Sequence, residues 1–114
     1  MADYSDPINA DYDEFIAAWR ERFPRPYERP PRGTFPPDLN FMADELMSMH
    51  KLPTGEWAEV SWGRCFHPNG RMIGVTVARP GTDAWIARTR GVEVFDSMDA
   101  AENYLRGLLA EQAA

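Results

Sequence analysis

The chain is poor in the residues on which disulfide and metal chemistry depends. Its 114 residues include one cysteine, two histidines and a single lysine, Lys51. One cysteine cannot form an internal disulfide, which excludes the disulfide frameworks of small secreted domains. No apolar run approaches the roughly 18 residues of a transmembrane helix, and the acidic start M-A-D-Y-S-D-P lacks the apolar region of a signal peptide. We therefore expect a cytoplasmic protein without a membrane segment.

Motifs of nucleotide and hydrolytic chemistry are also missing. The sequence has no Gly-x-Gly-x-x-Gly or Gly-Lys-Ser/Thr phosphate loop, no Gly-x-Ser-x-Gly elbow and no His-Glu-x-x-His zinc motif. Cys65 and His67 lie two residues apart, but a Cys–His nucleophile also needs an orienting third group. With the distant His50 they fall short of the four ligands of a structural zinc site. We expect no catalytic residue, no metal and no cofactor, hence no enzyme.

What the chain does have is the composition of one folded acidic domain. Hydrophobic residues make up 44% of it and aromatic residues 12%, which is typical of a chain with a packed core. The net charge is −6, and residues 1–50 hold most of the excess, with ten acids against five arginines. Such a balance disfavours general binding to the nucleic-acid backbone. It favours a partner with a basic surface, or serves only solubility. We expect a single domain over residues 1–114.

The front of the chain predicts a helix and then an extended segment. Apolar residues recur three and four apart, at Tyr12, Phe15, Ile16, Trp19 and Phe23. Acids fill the first turn, where the helix dipole favours them, and the helix should end at Pro24. Six of the ten prolines lie in residues 23–38, too many for a regular helix or a central strand. The domain is thus divided into an arm and first helix (1–23), a Pro-rich linker (24–37) and a remainder (38–114).

The remainder predicts a second helix and then strands. Residues 38–50 show helical spacing with an apolar face of Leu39, Met42, Ala43, Leu46 and Met49. Met47 lies off that face and is the better contact candidate.

Alternation of apolar and polar residues begins after this second helix and predicts an antiparallel sheet. One strand places Ala58, Val60, Trp62 and Phe66 on one face, and the next places Ile73, Val75 and Val77 there. The H-P-N-G stretch between them predicts a hairpin turn. A third strand is expected over residues 84–89 and a short fourth over residues 92–95.

A last helix is expected over residues 98–112, with Ser97 as its N-cap and an apolar face of Ala101, Tyr104, Leu105 and Leu108. The predicted fold is α+β: two N-terminal helices joined by a Pro-rich segment, a 3–4-stranded antiparallel meander and a C-terminal helix, in the order α-α-β-β-β-(β)-α.

The second face of this sheet is predicted to consist of small residues. They are Ser61, Gly74, Thr76, Ala78, Ala87 and Thr89. Small side chains admit a closely packed helix, so we expect one of the first two helices to cover this face; otherwise a partner could.

Two candidate partner-binding surfaces follow from charge and composition. The first is acidic and comprises Asp11, Asp13, Glu14, Asp44 and Glu45. The second is the Pro/Arg segment, with Arg25, Tyr27, Arg29 and Arg32. That segment contains no P-x-x-P spacing, so the SH3-ligand class is not supported.

An alternative surface follows from the basic residues of the predicted sheet. Arginines on or beside the strands, interleaved with aromatic residues, have the composition of a nucleic-acid surface. They are Arg64, Arg71, Arg79, Arg88 and Arg90. Residues 51–96 carry six bases and five acids, so the local balance is only +1.

The sequence therefore predicts a non-enzymatic protein whose ligand is another protein or protein complex. Small size, acidity and the absence of cofactor motifs are analogous to phage or mobile-element accessory factors that inhibit or modulate a host complex, of the anti-CRISPR or anti-defence type, acting in the host cytoplasm. A nucleic-acid-binding module using the sheet arginines is the alternative. Monomer and homodimer both remain open.

Overall fold

The fold is a sheet of four antiparallel strands, adjacent in chain order, against which two helices pack. The computed structural model describes residues 12–24, 40–67, 69–79 and 88–112. Its elements are α1 (Tyr12–Arg22), β1 (Phe41–Lys51), β2 (Trp57–Phe66), β3 (Asn69–Ala78), β4 (Arg88–Phe95) and α2 (Met98–Ala110). The strand order is β1-β2-β3-β4. The α+β class and the antiparallel meander are thus confirmed, whereas the Pro-rich linker beyond Pro24 lies outside the described residues.

The predicted second helix is wrong, because residues 41–51 form the strand β1. This strand pairs with β2 from Phe41↔Cys65 to Lys51↔Trp57. Its register shifts between Ala43 and Glu45 and again between Leu46 and Ser48. Each such bulge adds a residue to one strand and interrupts the two-residue alternation. The apolar spacing consequently resembles the three-and-four pattern of a helix.

The burial of the β1 methionines also reverses the prediction. Met47 is fully buried in the core, whereas Met42 is 50% exposed. The helical face placed Met42 inside and Met47 outside. The residue available for contact is therefore Met42.

The hairpin predicted at H-P-N-G is confirmed. The strands β2 and β3 pair without a register shift from Trp57↔Ala78 to Phe66↔Asn69. Asn69 and Gly70 already belong to β3, so the connection is shorter than the sequence suggested. Gly70 has φ of +150°, a conformation that residues with a side chain rarely adopt.

The last strand differs from the prediction, whereas the last helix follows it closely. The separate strands predicted over residues 84–89 and 92–95 are wrong as a pair, because β4 is one strand from Arg88 to Phe95 with an irregular register opposite Val77 and Ala78. Residues 80–87 lie outside the described part of the chain. In α2, Ser97 has the extended backbone of an N-cap and its hydroxyl accepts a hydrogen bond from the Ala100 amide at 3.1 Å. Ala101, Leu105 and Leu108 are buried as expected.

Both described helices pack on one face of the sheet, which we call the helix-bearing face. A single core joins Phe15, Ile16 and Trp19 of α1 with residues of α2 and of the strands. The strand residues in this core include Met47, Val60, Trp62, Ile73, Val75 and Val77. The expectation that a helix would cover the small-residue face is therefore wrong for α1, which packs on the other side.

The small-residue face is partly covered by a side chain of β1. A Cβ atom added to Gly74 would lie 2.5 Å from the Phe41 ring, so the ring lies directly over this glycine. Phe41, Cys65 and Met72 form a second, smaller apolar cluster on this side. Within the described residues, no helix is long and apolar enough to span a bilayer.

Candidate protein-interaction surface

The helices cover only part of the helix-bearing face because they are much shorter than the strands. The 11 residues of α1 span about 16 Å, whereas the 10 residues of β2 span about 33 Å. The helix α1 runs along β1 and β2, with Phe15 near Trp62 at one end and Phe23 against His50 at the other. The sheet beyond Trp62 is consequently left uncovered by the two described helices.

Five side chains occupy this uncovered end, which we call the distal patch. They are Met42 and Asp44 of β1, Arg64 and Phe66 of β2, and Arg71 of β3. Register places Met42, Arg64 and Arg71 side by side across three strands. Phe66 belongs to the same alternating set as Trp62 and was predicted to face the core. That expectation is wrong, since Phe66 is 45% exposed.

The two arginines of the distal patch differ in how closely their neighbours bind them. Asp44 Oδ2 lies 3.0 Å from Arg71 Nη1 but 3.8 Å from Arg64 Nε. The Arg71 guanidinium also lies over the Trp62 ring, 4.7 Å from its centroid, which adds a cation–π contact. Arg64 is 56% exposed, and its other close contact is the Met42 sulfur at 3.8 Å. Arg71 is therefore fixed in place, whereas Arg64 is available to a ligand.

A second feature, which we call the acidic groove, lies beside the distal patch between α1 and β1. Its volume is about 630 Å³, and it is lined by Asp13, Ile16, Ala17, Arg20, Glu21, Pro24 and Glu45. Arg20 is directed onto β1, where its guanidinium donates to the carbonyl oxygens of Met47 at 3.0 Å and Leu46 at 3.2 Å. The lining of the groove thus combines three apolar residues with three carboxylates.

The predicted acidic surface is divided between these two features. Asp13 and Glu45 both line the acidic groove, whereas Asp44 pairs with the arginines of the distal patch. Glu14 is exposed on α1. Asp11 and the whole predicted Pro/Arg set (Arg25, Tyr27, Arg29 and Arg32) lie outside the described residues.

The predicted arginine surface is divided as well. Only Arg64 and Arg71 come together; Arg79 is exposed at the end of β3, and the side chain of Arg88 lies outside the described part. Arg90 lies at the opposite end of the sheet and pairs with Glu56 and Glu111, each at 2.6 Å. These hydrogen bonds, first to Glu111 and then to Glu56, hold the pKa of Arg90 above its ordinary value. Arg90 thereby connects the β1–β2 loop, β4 and the end of α2.

Cys65 and His67 are not among the residues that line the acidic groove. The Cys65 sulfur is fully buried and accepts a hydrogen bond from Asn40 Nδ2 at 3.3 Å. His67 is exposed, and its backbone is bonded to the same asparagine, with the amide donating to Oδ1 at 2.8 Å and the carbonyl accepting from Nδ2 at 2.9 Å. Residues 65–67 therefore form the end of the β2–β3 hairpin, which is hydrogen-bonded to Asn40.

A Ser–His pair with a buried serine and a partly buried histidine is a feature that the sequence did not indicate. Ser48 Oγ lies 2.7 Å from His50 Nε2 and accepts a hydrogen bond from the Trp19 indole at 2.8 Å. His50, predicted to end a helix, belongs to β1 instead. Ser48 is only 7% exposed, so its hydroxyl joins α1 to β1 and is not presented to a substrate.

Among the residues that the structure describes, no group of three or more His, Cys, Asp or Glu side chains is arranged to hold a metal ion. Comparison of the chain with protein-family models, with curated proteins and with solved structures gave no match.

The sequence did not indicate that Met42 and Phe66 are exposed. Met42 was assigned to the apolar face of a helix that does not exist. Phe66 was assigned to the core because it alternates with Trp62 along the strand. A comparison of strand and helix lengths could have identified Phe66, because a ten-residue strand extends beyond any helix of similar residue count.

Proposed function

We propose that this chain is a non-enzymatic protein-binding protein and that the distal patch is its contact surface. The observation that carries the proposal is the exposure of Met42 and Phe66, the first paired with Arg64 across the strands and the second two residues beyond Arg64 on β2. Among the described residues these two are the large hydrophobic side chains that stand out as exposed. Exposed apolar side chains grouped together are typical of interaction sites.

The composition of the distal patch supports a protein ligand. Aromatic residues, methionine and arginine are enriched in the centres of protein interfaces, whereas lysine and glutamate are depleted there. The patch contains Phe66, Met42 and two arginines, with Arg71 already held against Trp62. A side chain that is ordered before binding loses less conformational entropy when a partner arrives.

The proposed role is that of an accessory factor which inhibits or modulates a host protein complex, of the phage or mobile-element type. The support is the small size, the net charge of −6 and the lack of cofactor motifs. The acidic groove, with Asp13 and Glu45, supports a partner that also offers a basic surface.

The test is capture of partners by affinity purification from the native host with quantitative mass spectrometry. We expect one protein or complex to be retained by the wild type and lost with the double variant Met42→Ser/Phe66→Ser. Glu93→Ser, on the exposed surface of β4, is the control and should retain it. If the double variant folds and captures the same partners as the wild type, the distal patch is not the contact surface.

A nucleic-acid-binding module is the second candidate, favoured by the adjacency of Arg64 and Arg71 beside the exposed Phe66 ring. Its test is binding of fluorescent single- and double-stranded DNA and RNA at increasing salt. This candidate predicts binding that weakens steeply with salt and is lost in Arg64→Ala, but is kept in Lys51→Ala. An absence of binding at low salt rules it out.

A further inference from the structure

We propose that two copies of the chain associate, with the distal patch of each copy seated on the acidic groove of the other. Both surfaces lie on the same side of β1 and are adjacent along it. Met42 of the patch and Glu45 of the groove pair with Arg64 and Trp62, which are two positions apart on β2. Because of the bulge between Ala43 and Glu45, Met42 and Glu45 lie on the same face of the sheet, about 7 Å apart along the strand.

The two surfaces carry opposite charge. The groove has three carboxylates (Asp13, Glu21 and Glu45) and Arg20, which is turned onto β1. The patch has Arg64 and Arg71 against Asp44. The formal balance is −2 for the groove and +1 for the patch, and the most available charge of the patch is the half-exposed Arg64. Opposite potentials of this kind favour and orient an encounter.

The apolar parts are complementary as well. Met42 and Phe66 are exposed on the patch, whereas the groove is lined in part by the apolar residues Ile16, Ala17 and Pro24. Burying an exposed phenylalanine in such a recess removes apolar area from water, which favours association.

Symmetry makes a second copy the occupant that fits both surfaces at once. A two-fold axis passing between the patch and the groove brings each patch onto the other groove, so a single contact is formed twice and the assembly closes as a dimer. The pairing covers the surface that we assign to the partner protein. A partner would therefore compete with the second copy, so self-association would limit how much of the patch is free.

Sedimentation velocity over a wide range of protein concentration tests the association. We expect the mass of one copy when the protein is dilute and of two copies when it is concentrated, with dissociation as salt is added. A single copy at every concentration overturns the proposal. It leaves the proposed function intact, because capture of a partner by the distal patch does not require a dimer.

Charge exchange tests which surfaces meet. The patch variant is Arg64→Glu/Arg71→Glu and the groove variant is Asp13→Lys/Glu21→Lys. Alone, each places like charges opposite one another and should associate more than about tenfold more weakly than the wild type. Mixed in equal amounts, they should form a heterodimer, because every acidic surface then meets a basic one.

The mixture also distinguishes charge repulsion from misfolding, because an unfolded variant would not form a heterodimer with the other variant. Charge-matched controls lie elsewhere, at Lys51→Glu/Arg79→Glu and Glu93→Lys/Asp96→Lys, and should dimerise as the wild type does. The single variant Phe66→Ser tests the apolar contact without changing charge and should also weaken the dimer. Variants that still dimerise alone, or a mixture that stays monomeric, overturn the patch-to-groove contact.

Discussion

Asn40 bonds the start of β1 to the end of β2 through both ends of its side-chain amide. Nδ2 donates to the His67 carbonyl at 2.9 Å and to the Cys65 sulfur at 3.3 Å, and Oδ1 accepts from the His67 amide at 2.8 Å. The Asn40 backbone carbonyl also accepts from the Phe66 amide at 2.9 Å. The side chain thereby extends the sheet ladder by one position and protects the only thiol of the chain.

Replacing Asn40 by alanine should therefore loosen the hairpin end and uncover Cys65. We expect a loss of about 1 to 3 kcal/mol in the free energy of unfolding, because the side-chain bonds are removed and a buried group loses its partner. The Cys65 thiol should react faster with an aromatic disulfide reagent, measured by absorbance. Asn103→Ala, on the exposed side of α2, is the control. Equal thiol reactivity in all three proteins would contradict this account.

Two glycines give opposite predictions for the same substitution. Gly74→Ala should destabilise the protein by about 1 to 3 kcal/mol, because its new methyl group would overlap the Phe41 ring at 2.5 Å. Gly107→Ala should stabilise it by about 0.5 to 1 kcal/mol, because this position in α2 has no atom within 4 Å of the added Cβ and alanine favours the helix. Urea unfolding of both variants measures the difference. Equal effects of one sign would show that Phe41 does not lie over Gly74.

At the scale of elements, the sequence predicted those parts whose signals are local. The stripe of α1, the Ser97 cap of α2 and the alternation of β2 and β3 each depend on neighbours in the chain, and the structure has all of them. The strand β1 was missed because its residues favour helix by propensity and because two bulges conceal its alternation. Pairing with β2 decides its conformation, and that is a tertiary effect.

In the candidate site, too, local sequence signals predicted some features, and tertiary pairing decided the others. The hairpin bearing Arg64 and Arg71 was predictable, since alternation and turn residues placed them on flanking strands. Their common partner Asp44 was assigned to a helix, so the ion pair could not be foreseen. The acidic groove likewise depends on Glu45 lying opposite α1, which follows only from the true strand register.

The N-cap of α2 gives a prediction at this scale. Ser97→Ala should lower the free energy of unfolding by about 1 kcal/mol, because the Ala100 amide loses its acceptor. Ser97→Asp keeps an acceptor of the same reach and adds a favourable charge at the helix start, so it should restore most of the loss. Thermal unfolding followed by circular dichroism measures both variants. A Ser97→Asp protein as unstable as Ser97→Ala would exclude a capping role.

At the scale of the whole molecule, two charge clusters connect elements distant in sequence. Arg22 of α1 reaches Asp99 at 2.8 Å and Glu102 at 2.9 Å, and Arg106 reaches Glu102 at 2.7 Å. Arg106 also donates to the Arg22 carbonyl and lies over the Phe23 ring. This cluster bonds α1 to α2, and the Arg90 cluster bonds α2 to the sheet. Both are on the surface, so their contribution is modest and falls with salt.

These clusters make the stability of the fold depend on pH in a defined direction. Hydrogen bonds from Arg106 and then Arg22 lower the pKa of Glu102, and those from Arg90 lower the pKa of Glu111. A carboxyl group with a lowered pKa in the folded state binds protons more weakly there than in the unfolded chain. Its stabilisation is therefore complete above the ordinary glutamate pKa of about 4.3 and is lost as the pH falls through the folded value.

The comparison of wild type with Glu102→Gln isolates this effect from the protonation of other acids. At neutral pH the variant should be the less stable protein, because its uncharged amide binds Arg22 and Arg106 more weakly. As the pH falls below about 4.3, the wild type loses its advantage and the two unfolding free energies should converge. Glu93→Gln, in which the exchanged carboxyl has no ion pair among the described residues, should follow the wild-type curve. Urea unfolding across the acid range measures all three, and a difference between Glu102→Gln and wild type that stays constant to the acid limit would show that the Glu102 ion pairs do not stabilise the fold.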